Sequence, residues 1–245
     1  FNGYHMGNTA ENVAEQWQIT REEQDEFASW SQNKAEAAQK AGRFKHEIIP
    51  VTYATRKGEV TVSEDEHPTH GTTAEVLGKL RPAFDRDGTV TAGNASGIND
   101  GAVATIVGSL AAGERAGAKP IARILSSASA GVPPRIMGIG PVPASQKALE
   151  RAGLTLADMD VIEINEAFAA QVLGCLKGLG LSADDSRVNM HGGAITMGHP
   201  LGASGPRIAL TAARQLERTG GRYALATLCV GIGQGTAIVI ERCAG

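Results

Sequence analysis

The 245-residue sequence is poor in the features that mark several large protein classes. It has only three cysteines, Cys175, Cys229 and Cys243, with no Cys-x-x-Cys pair, so it offers no disulfide framework and no paired-cysteine metal site. It has no run of about 18 apolar residues, so no membrane-spanning helix is expected. Its net charge of −3 gives no reason to expect a nucleic-acid partner. We therefore expect a cytoplasmic protein without a metal site.

Glycine, in contrast, is abundant, with 31 residues against an average of about 7%. Two glycine-rich stretches each contain one reactive side chain: residues 192–205 contain His199, and residues 229–235 contain Cys229. Glycine lets a backbone approach a ligand closely and direct its N–H groups at an oxyanion. A histidine in one turn and a cysteine in the other are typical of a thiol–imidazole active site.

Three motifs in this order carry a resemblance to a known family: Asn165-Glu166-Ala167-Phe168, Gly198-His199-Pro200 and Cys229-Val230-Gly231-Ile232-Gly233. The chain resembles the thiolases, which make or cleave β-ketoacyl-CoA, and within them the short-chain biosynthetic acetyl-CoA acetyltransferases of the bacterial type. The likeness extends over the rest of the chain. It implies condensation of two acetyl-CoA to acetoacetyl-CoA plus CoA, and the reverse thiolysis. Coenzyme A is then substrate and product, and no cofactor is expected.

The resemblance also implies roles for four residues. Cys229 would be the base that removes the α-proton of the second acyl-CoA, with a pKa lowered by nearby backbone N–H dipoles; a buried structural cysteine is the alternative. His199 would polarise the nucleophilic cysteine and donate to the thioester oxygen. Asn165 would position a water that completes this oxyanion hole, although asparagine also suits a helix N-cap. The N–H of Gly231 would belong to a second oxyanion hole.

Seven further residues are implied in binding the substrate. Ala92 and Ser96 would lie along the pantetheine. The tunnel near the acyl group would be lined by His5, Met6, Phe84, Met137 and Phe168. For the methionines and phenylalanines, ordinary core packing is the alternative interpretation.

The pattern of elements predicts an α/β fold, and the resemblance implies the layered α/β/α/β/α arrangement. Residues 8–41 are predicted to form two helices, the second opened by a capping box from Thr20 to Glu23. Residues 102–107 are predicted as a buried strand and Leu110 to Ala116 as a helix. Beyond residue 120, strands alternate with helices and predict a five-stranded layer, with Ser204 capping a helix from Gly205 to Arg218.

Three regions follow from this comparison with the family. Residues 1–98 would form a loop domain that covers the site and holds coenzyme A, residues 99–119 the last strand and helix of an N-terminal domain, and residues 120–245 the C-terminal domain. None of the three cysteines lies in the Cys-Gly-Ser-Gly-like context of the family nucleophile. We therefore expect the C-terminal portion of a thiolase only, with the N-terminal domain largely absent.

Consequences for partners and activity follow from that expectation. The chain alone would be inactive, and its partner would be an N-terminal thiolase segment with the nucleophilic cysteine. By resemblance the protein would be a homo-oligomer, a dimer or a tetramer. Two other functions stay open: a longer-chain or β-ketoadipyl-CoA thiolase, and a thiolase-like protein that binds CoA without catalysis.

Overall fold

The alternating strands and helices after residue 120 form one four-stranded sheet in the computed structural model, which describes residues 3–243. The strands occur in the order β3-β6-β5-β4, and only β4 and β5 are parallel. A separate antiparallel hairpin is made of β1 and β2, whose residues are all exposed. The strands are β1 Val51–Thr55, β2 Gly58–Val62, β3 Ala122–Gly131, β4 Val161–Ile164, β5 Tyr223–Val230 and β6 Gln234–Arg242.

The helices surround this sheet. They are α1 Met6–Gln16, α2 Arg21–Lys40, α3 Ala74–Leu77, α4 Leu110–Arg115, α5 Pro141–Ala152, α6 Ala169–Leu179, α7 Ala194–Met197 and α8 Leu201–Thr219. The predicted capping box opens α2: Thr20 Oγ1 accepts from the amide of Glu23, and Glu23 Oε2 accepts from the amide of Thr20 at 2.7 Å. Two orphan amides of the first turn are satisfied in this way.

The alternation of side chains along β4 explains why the sheet is covered on both faces. Ile162 and Ile164 join the large core with α5 and α6, whereas Val161 packs with Ala212 and Leu216 of α8. The main helices α1 and α2 pack in turn against α6. The result is a helix–sheet–helix sandwich, with further helices beyond one face.

The structure corrects several expectations. Residues 102–107 are not a buried strand: they adopt no regular structure, and Ile106 is fully exposed, because no described strand lies beside them to complete their hydrogen bonds. The sheet has four strands rather than five. Among residues 3–243 it is accompanied only by the hairpin, so a second large sheet, as in a five-layered α/β/α/β/α arrangement, does not occur in this part of the chain. The α/β class is confirmed.

Helix α8 also begins earlier than predicted. It starts at Leu201 with Pro200 as N-cap, so Ser204 lies inside the first turn rather than at the cap. Its hydroxyl donates back to the carbonyl of Pro200. The division of the chain at residues 98 and 119 stays a prediction.

Two glycines bring the α5 helix directly against the sheet. A Cβ atom on Gly140 would overlap the backbone of Gln234 and Gly235, and one on Gly235 would overlap the backbone of Gly140 and the nitrogen of Pro141. Because both neighbours are main chain, neither can rotate away. This contact holds the start of α5 against the first residues of β6, beside the turn that follows Cys229.

The substitution Gly140→Ala is therefore expected to lower the free energy of unfolding by about 1–3 kcal/mol, through overpacking against backbone. Denaturant unfolding of the purified protein measures this. Gly202→Ala is the matched control, because a Cβ atom on Gly202 meets no atom within 4 Å in helix α8. Alanine there should leave stability unchanged or raise it by up to about 1 kcal/mol. Equal stability of Gly140→Ala and the unsubstituted protein would contradict the close-approach argument.

Candidate active site

The candidate site lies where the parallel strands β4 and β5 end. Ile164 pairs with Thr227, and the amide of Asn165 donates to the carbonyl of Thr227 at 3.0 Å. Cys229 lies two residues further along β5. Adjacent parallel strands end at the same edge of a sheet. Asn165 therefore lies beside the end of β5 and the turn of residues 231–233 that follows it, which we call the Cys229 turn.

His199 reaches the same edge from the turn between α7 and α8. Its amide donates to the carbonyl of Gly97 at 3.0 Å, and its ring nitrogens each lie 3.5 Å from Nδ2 of Asn165. The Oδ1 atom of Asn165 is buried and has no hydrogen-bond partner among residues 3–243. Helix α6 begins at Ala169 with Phe168 as its N-cap, so Asn165 is not a helix cap. Its amide group is free to serve a ligand.

The hydrogen bonds around His199 indicate its tautomer. Nδ1 lies 2.6 Å from Oγ of Ser204, and Ser204 uses its single hydrogen to donate to the carbonyl of Pro200. The Nδ1 atom of His199 is then the donor to Ser204, which leaves Nε2 as an acceptor. Burial lowers the pKa of His199, and the positive charge of Arg207 lowers it further. The side chain is therefore a neutral imidazole, and its basic Nε2 lies 3.5 Å from Nδ2 of Asn165.

Cys229 occupies an apolar environment. Its side chain is 7% exposed and packs in one cluster with Met137 and Phe168. Burial raises the pKa of the Cys229 thiol to about 12, and a backbone hydrogen bond offsets this only in part. The expectation of a lowered pKa is thus wrong, because the loss of hydration outweighs the backbone dipoles. At rest Cys229 is a protonated thiol.

A row of three contacting rings connects the cluster around Cys229 to the surface. Phe84 lies edge-on to Phe168 at 6.1 Å, and His5 stacks on Phe84 at 4.8 Å. His5 also accepts from the amide of Gly7 through Nδ1, as the N-cap of α1. Met137 and Phe168 are buried, whereas His5 and Met6 are exposed. The structure therefore brings four of the five proposed tunnel residues into one continuous row of contacts.

Met6 lies beside this row and lines a cavity of about 450 Å³ next to the Cys229 turn. The cavity is lined by Gly3, Tyr4, His5, Met6, Thr9, Pro134 and Ile232. Ile232 belongs to the turn between β5 and β6, three residues after Cys229, so the cavity lies beside the end of β5. Gly231, in the same turn, is exposed and has open space where a Cβ atom would stand.

The two residues proposed along the pantetheine differ in their surroundings. Both the amide and the hydroxyl of Ser96 donate to the carbonyl of Ala167, at 3.0 and 3.1 Å, which ties the 91–97 segment to the turn after β4. Ala92 is exposed on the other side of this segment.

The remaining candidate groups lie apart from this edge. Cys175 is buried in α6, where its thiol donates to the carbonyl of Gly138. His191 contacts Arg218, and burial together with the charges of Arg218 and Arg43 lowers its pKa to about 4. In the described part of the chain, no group of three or more His, Cys, Asp or Glu side chains is arranged to hold a metal. No helix there is long and apolar enough to span a membrane.

Sequence reasoning missed two contributors to the site. Ser204 was expected only to cap a helix, yet it fixes the ring of His199. Gly97 receives the amide of His199 through its carbonyl, which no side-chain pattern reveals. A serine one helical turn after the Gly-His-Pro motif was the only available signal for Ser204.

Comparison with known proteins agrees with this geometry. The family model for the thiolase N-terminal domain matches residues 1–110, and that for the thiolase C-terminal domain matches residues 118–242. The chain belongs to the thiolase family.

Individual relatives support the same assignment. The chain is 59% identical over 242 residues to an acetyl-CoA acetyltransferase of Rhizobium meliloti, covering 99% of this chain and 61% of that protein. It is 56% identical over 237 residues to a β-ketoadipyl-CoA thiolase of Pseudomonas aeruginosa, covering 97% and 59%. A crystal structure of human mitochondrial 3-ketoacyl-CoA thiolase in complex with CoA superposes with a TM-score of 0.92 at 48% identity, covering 97% and 59%. The chain thus spans about three fifths of the length of these proteins.

These findings correct the expected domain content. The chain does not hold the C-terminal portion only, and its N-terminal domain is not absent, because the N-terminal family model matches residues 1–110. For the same reason, nothing supports a separate N-terminal segment as partner. A missing nucleophilic cysteine and an inactive chain are likewise unsupported.

The raised pKa of Cys229 predicts how this thiol reacts. With a pKa of about 12, only about one molecule in 10⁵ carries the thiolate at pH 7, so alkylation by iodoacetamide should be slow and should still accelerate at pH 10. Mass spectrometry of the Cys229 peptide between pH 7 and 10 measures the rate. The urea-unfolded protein is the control, in which the rate should level off above about pH 8.5. If the alkylation rate of Cys229 in the folded protein has already levelled off at pH 7, Cys229 is a thiolate at rest and the raised pKa is contradicted.

Proposed function

We propose that this protein is an acetyl-CoA C-acetyltransferase, which condenses two acetyl-CoA to acetoacetyl-CoA plus CoA and catalyses the reverse thiolysis. One observation carries this proposal: Asn165 follows β4 at the sheet edge where β5 reaches Cys229, and the ring of His199 lies 3.5 Å from Nδ2 of Asn165. A neutral imidazole, a protonated thiol and an amide with an unpaired Oδ1 are three of the groups that this reaction uses besides the acyl-accepting nucleophile. The similarity to acetyl-CoA acetyltransferases supports the choice.

In the first half-reaction, a thiol takes the acetyl group from acetyl-CoA and CoA leaves; we assign this acceptor to none of Cys175, Cys229 and Cys243, and we assign the handling of its proton to His199. Its Nε2 takes that proton, and the resulting imidazolium donates to the oxygen of the thioester under attack. Asn165 completes this oxyanion site through a water that its amide group positions. The hydrogen bond from Nδ1 to Ser204 keeps the ring in the required orientation.

Cys229 then acts first as an acid and afterwards as a base. As a thiol with a pKa of about 12, it protonates the departing CoA thiolate and itself becomes a thiolate. That thiolate, buried and strongly basic, removes the α-proton of the second acetyl-CoA. The carbanion attacks the acyl-enzyme, and His199 returns its proton to the released thiolate. The protons balance over the cycle, and the N–H of Gly231 contributes to the site that stabilises the second intermediate.

The proposed substrate is a short acyl-CoA. Among residues 3–243, no lysine or arginine lines the cavity beside the turn that follows Cys229. The free carboxylate of a β-ketoadipyl group would find no cationic partner there, and burying it unpaired is costly. This favours acetyl and acetoacetyl groups over the β-ketoadipyl alternative. CoA binding without catalysis is disfavoured by the arrangement of His199 and Cys229.

Seven further residues are proposed to bind the substrate. Ala92 and Ser96 would lie along the pantetheine, while His5, Met6, Phe84, Met137 and Phe168 would enclose the acyl end. Coenzyme A is substrate and product, and no further cofactor is proposed. A homo-oligomer, dimer or tetramer, is part of the proposal.

Replacement of Cys229 by serine tests the proton-transfer role. A hydroxyl is a far weaker acid, so Cys229→Ser should slow thiolysis of acetoacetyl-CoA by about 10²–10⁴-fold, the range for general acid–base groups. Steady-state kinetics of the purified protein measures this, with Cys243→Ser as the control that should keep normal turnover. Mass spectrometry of the quenched reaction gives the second readout. An acyl group trapped on Cys229 would contradict its assignment as acid and base.

Replacement of Met6 by alanine tests the acyl pocket. Met6 is 38% exposed and lines the cavity, so its truncation should enlarge the pocket with little loss of stability. The ratio of kcat/KM for 2-methylacetoacetyl-CoA to that for acetoacetyl-CoA should rise by about one to two orders of magnitude. Met190→Ala, in the core beside α8, is the control with an unchanged ratio. An unchanged ratio in Met6→Ala would mean that Met6 does not border the acyl group.

A further inference from the structure

One buried carboxylate connects the segments that carry Asn165 and His199. Glu166 is 0% exposed. Its Oε2 accepts from the hydroxyl of Ser31 at 2.7 Å and from the amide of Ile195 at 3.2 Å, and its Oε1 accepts from Nδ2 of Asn189 at 2.8 Å. Three donors from three separate parts of the chain therefore converge on one side chain.

Ser31 extends this connection from helix α2 to the turn before His199. Its oxygen accepts from the amide of Gly193 at 3.1 Å and lies 3.0 Å from Oγ1 of Thr196. Because the single hydrogen of Ser31 goes to Glu166, Thr196 must donate to Ser31. Each of these buried groups is satisfied only while Glu166 accepts.

The geometry ties this network to both functional side chains. Asn165 directly precedes Glu166, and His199 follows Thr196 by three residues, after the short helix α7. The same carboxylate thus fixes the end of β4 and the start of α7. Among the residues that line the cavity in the described part of the chain, none belongs to this network.

We propose that Glu166 is a positioning residue: it holds the His199 turn against Asn165, so that its loss slows acyl transfer without weakening CoA binding. This inference rests on the proposed acetyl-transfer function. The effect acts through the placement of His199, because the carboxyl group of Glu166 is engaged by Ser31, Asn189 and Ile195 and does not line the cavity.

The three donors around residue 166 require a side chain that only accepts hydrogen bonds, as an ionised carboxylate does. Burial raises the pKa of Glu166, while the hydrogen bonds from Ser31, Asn189 and Ile195 and the charge of Lys34 favour the ionised form. In Glu166→Gln, the amide NH₂ would face at least one of these donors, and one buried donor would lose its partner. The space is also closed, since a Cβ atom on Gly193 would overlap this carboxyl group.

Glu163, three residues before Glu166 and within β4, offers a matched control. It is equally buried but lies on the other face of β4, where it accepts from Nε2 of Gln215 at 2.9 Å. Burial raises its pKa to about 8. Glu163→Gln therefore removes a buried carboxyl group of the same size without touching the turn that carries His199.

The experiment compares Glu166→Gln and Glu163→Gln in the unsubstituted and His199→Asn backgrounds. For Glu166→Gln we expect kcat for acetoacetyl-CoA thiolysis to fall about 10- to 100-fold, with KM within about twofold. In the His199→Asn background, the same substitution should have almost no further effect on kcat. Hydrogen exchange of amides 193–199 should accelerate in Glu166→Gln, and Glu163→Gln should change neither readout.

Several outcomes would overturn the proposal. These are unchanged kcat and exchange in Glu166→Gln, an equal loss of kcat in the His199→Asn background, or a loss confined to KM. If Glu166→Gln does not fold, Ser31→Ala removes one arm of the network and should still accelerate exchange at residues 193–196. If the unsubstituted protein shows no thiolysis, the proposed function fails, and the exchange measurement alone decides the positioning role.

Discussion

The parallel pairing of β4 with β5 is the constraint on which the rest of the site depends. It sets Ile164 opposite Thr227 and thereby brings Asn165 and the Cys229 turn to one edge of the sheet. The antiparallel return through β6 and the tight contact of Gly140 with Gly235 then fix where that turn lies. His199 lies in a turn rather than on a strand. Its position is fixed by the preceding helix α7, by the contact of its ring with Ser204 and by the hydrogen bonds of Glu166.

A single physical cause, the removal of water, sets the protonation of both reactive groups. Burial lowers the pKa of His199 and raises that of Cys229, because in each case it disfavours the charged form. The resting site therefore contains a neutral base and a neutral acid rather than a preformed ion pair. Charge develops only when a thioester is present, which is the condition under which both groups are needed.

Local sequence signals predicted most of the secondary structure. The capping box of α2 and the alternation of strands and helices after residue 120 agree with the sequence patterns, because each depends on neighbouring residues. Residues 102–107 have the composition of a strand but lack a strand to pair with, and composition carries no information on that. The motifs indicated His199, Asn165 and Cys229 as neighbours, whereas the role of Ser204 and the direction of the Cys229 pKa depend on tertiary packing and could not be predicted.

The central claim is that His199 and Cys229 act together on the thioester of an acyl-CoA. The most direct test is a crystal structure of the protein with bound acetyl-CoA. We predict that the thioester lies between the two side chains, with its oxygen about 2.7–3.1 Å from the Asn165-bound water or from the amide of Gly231. Acetyl-CoA bound with its thioester remote from both His199 and Cys229 would contradict the account.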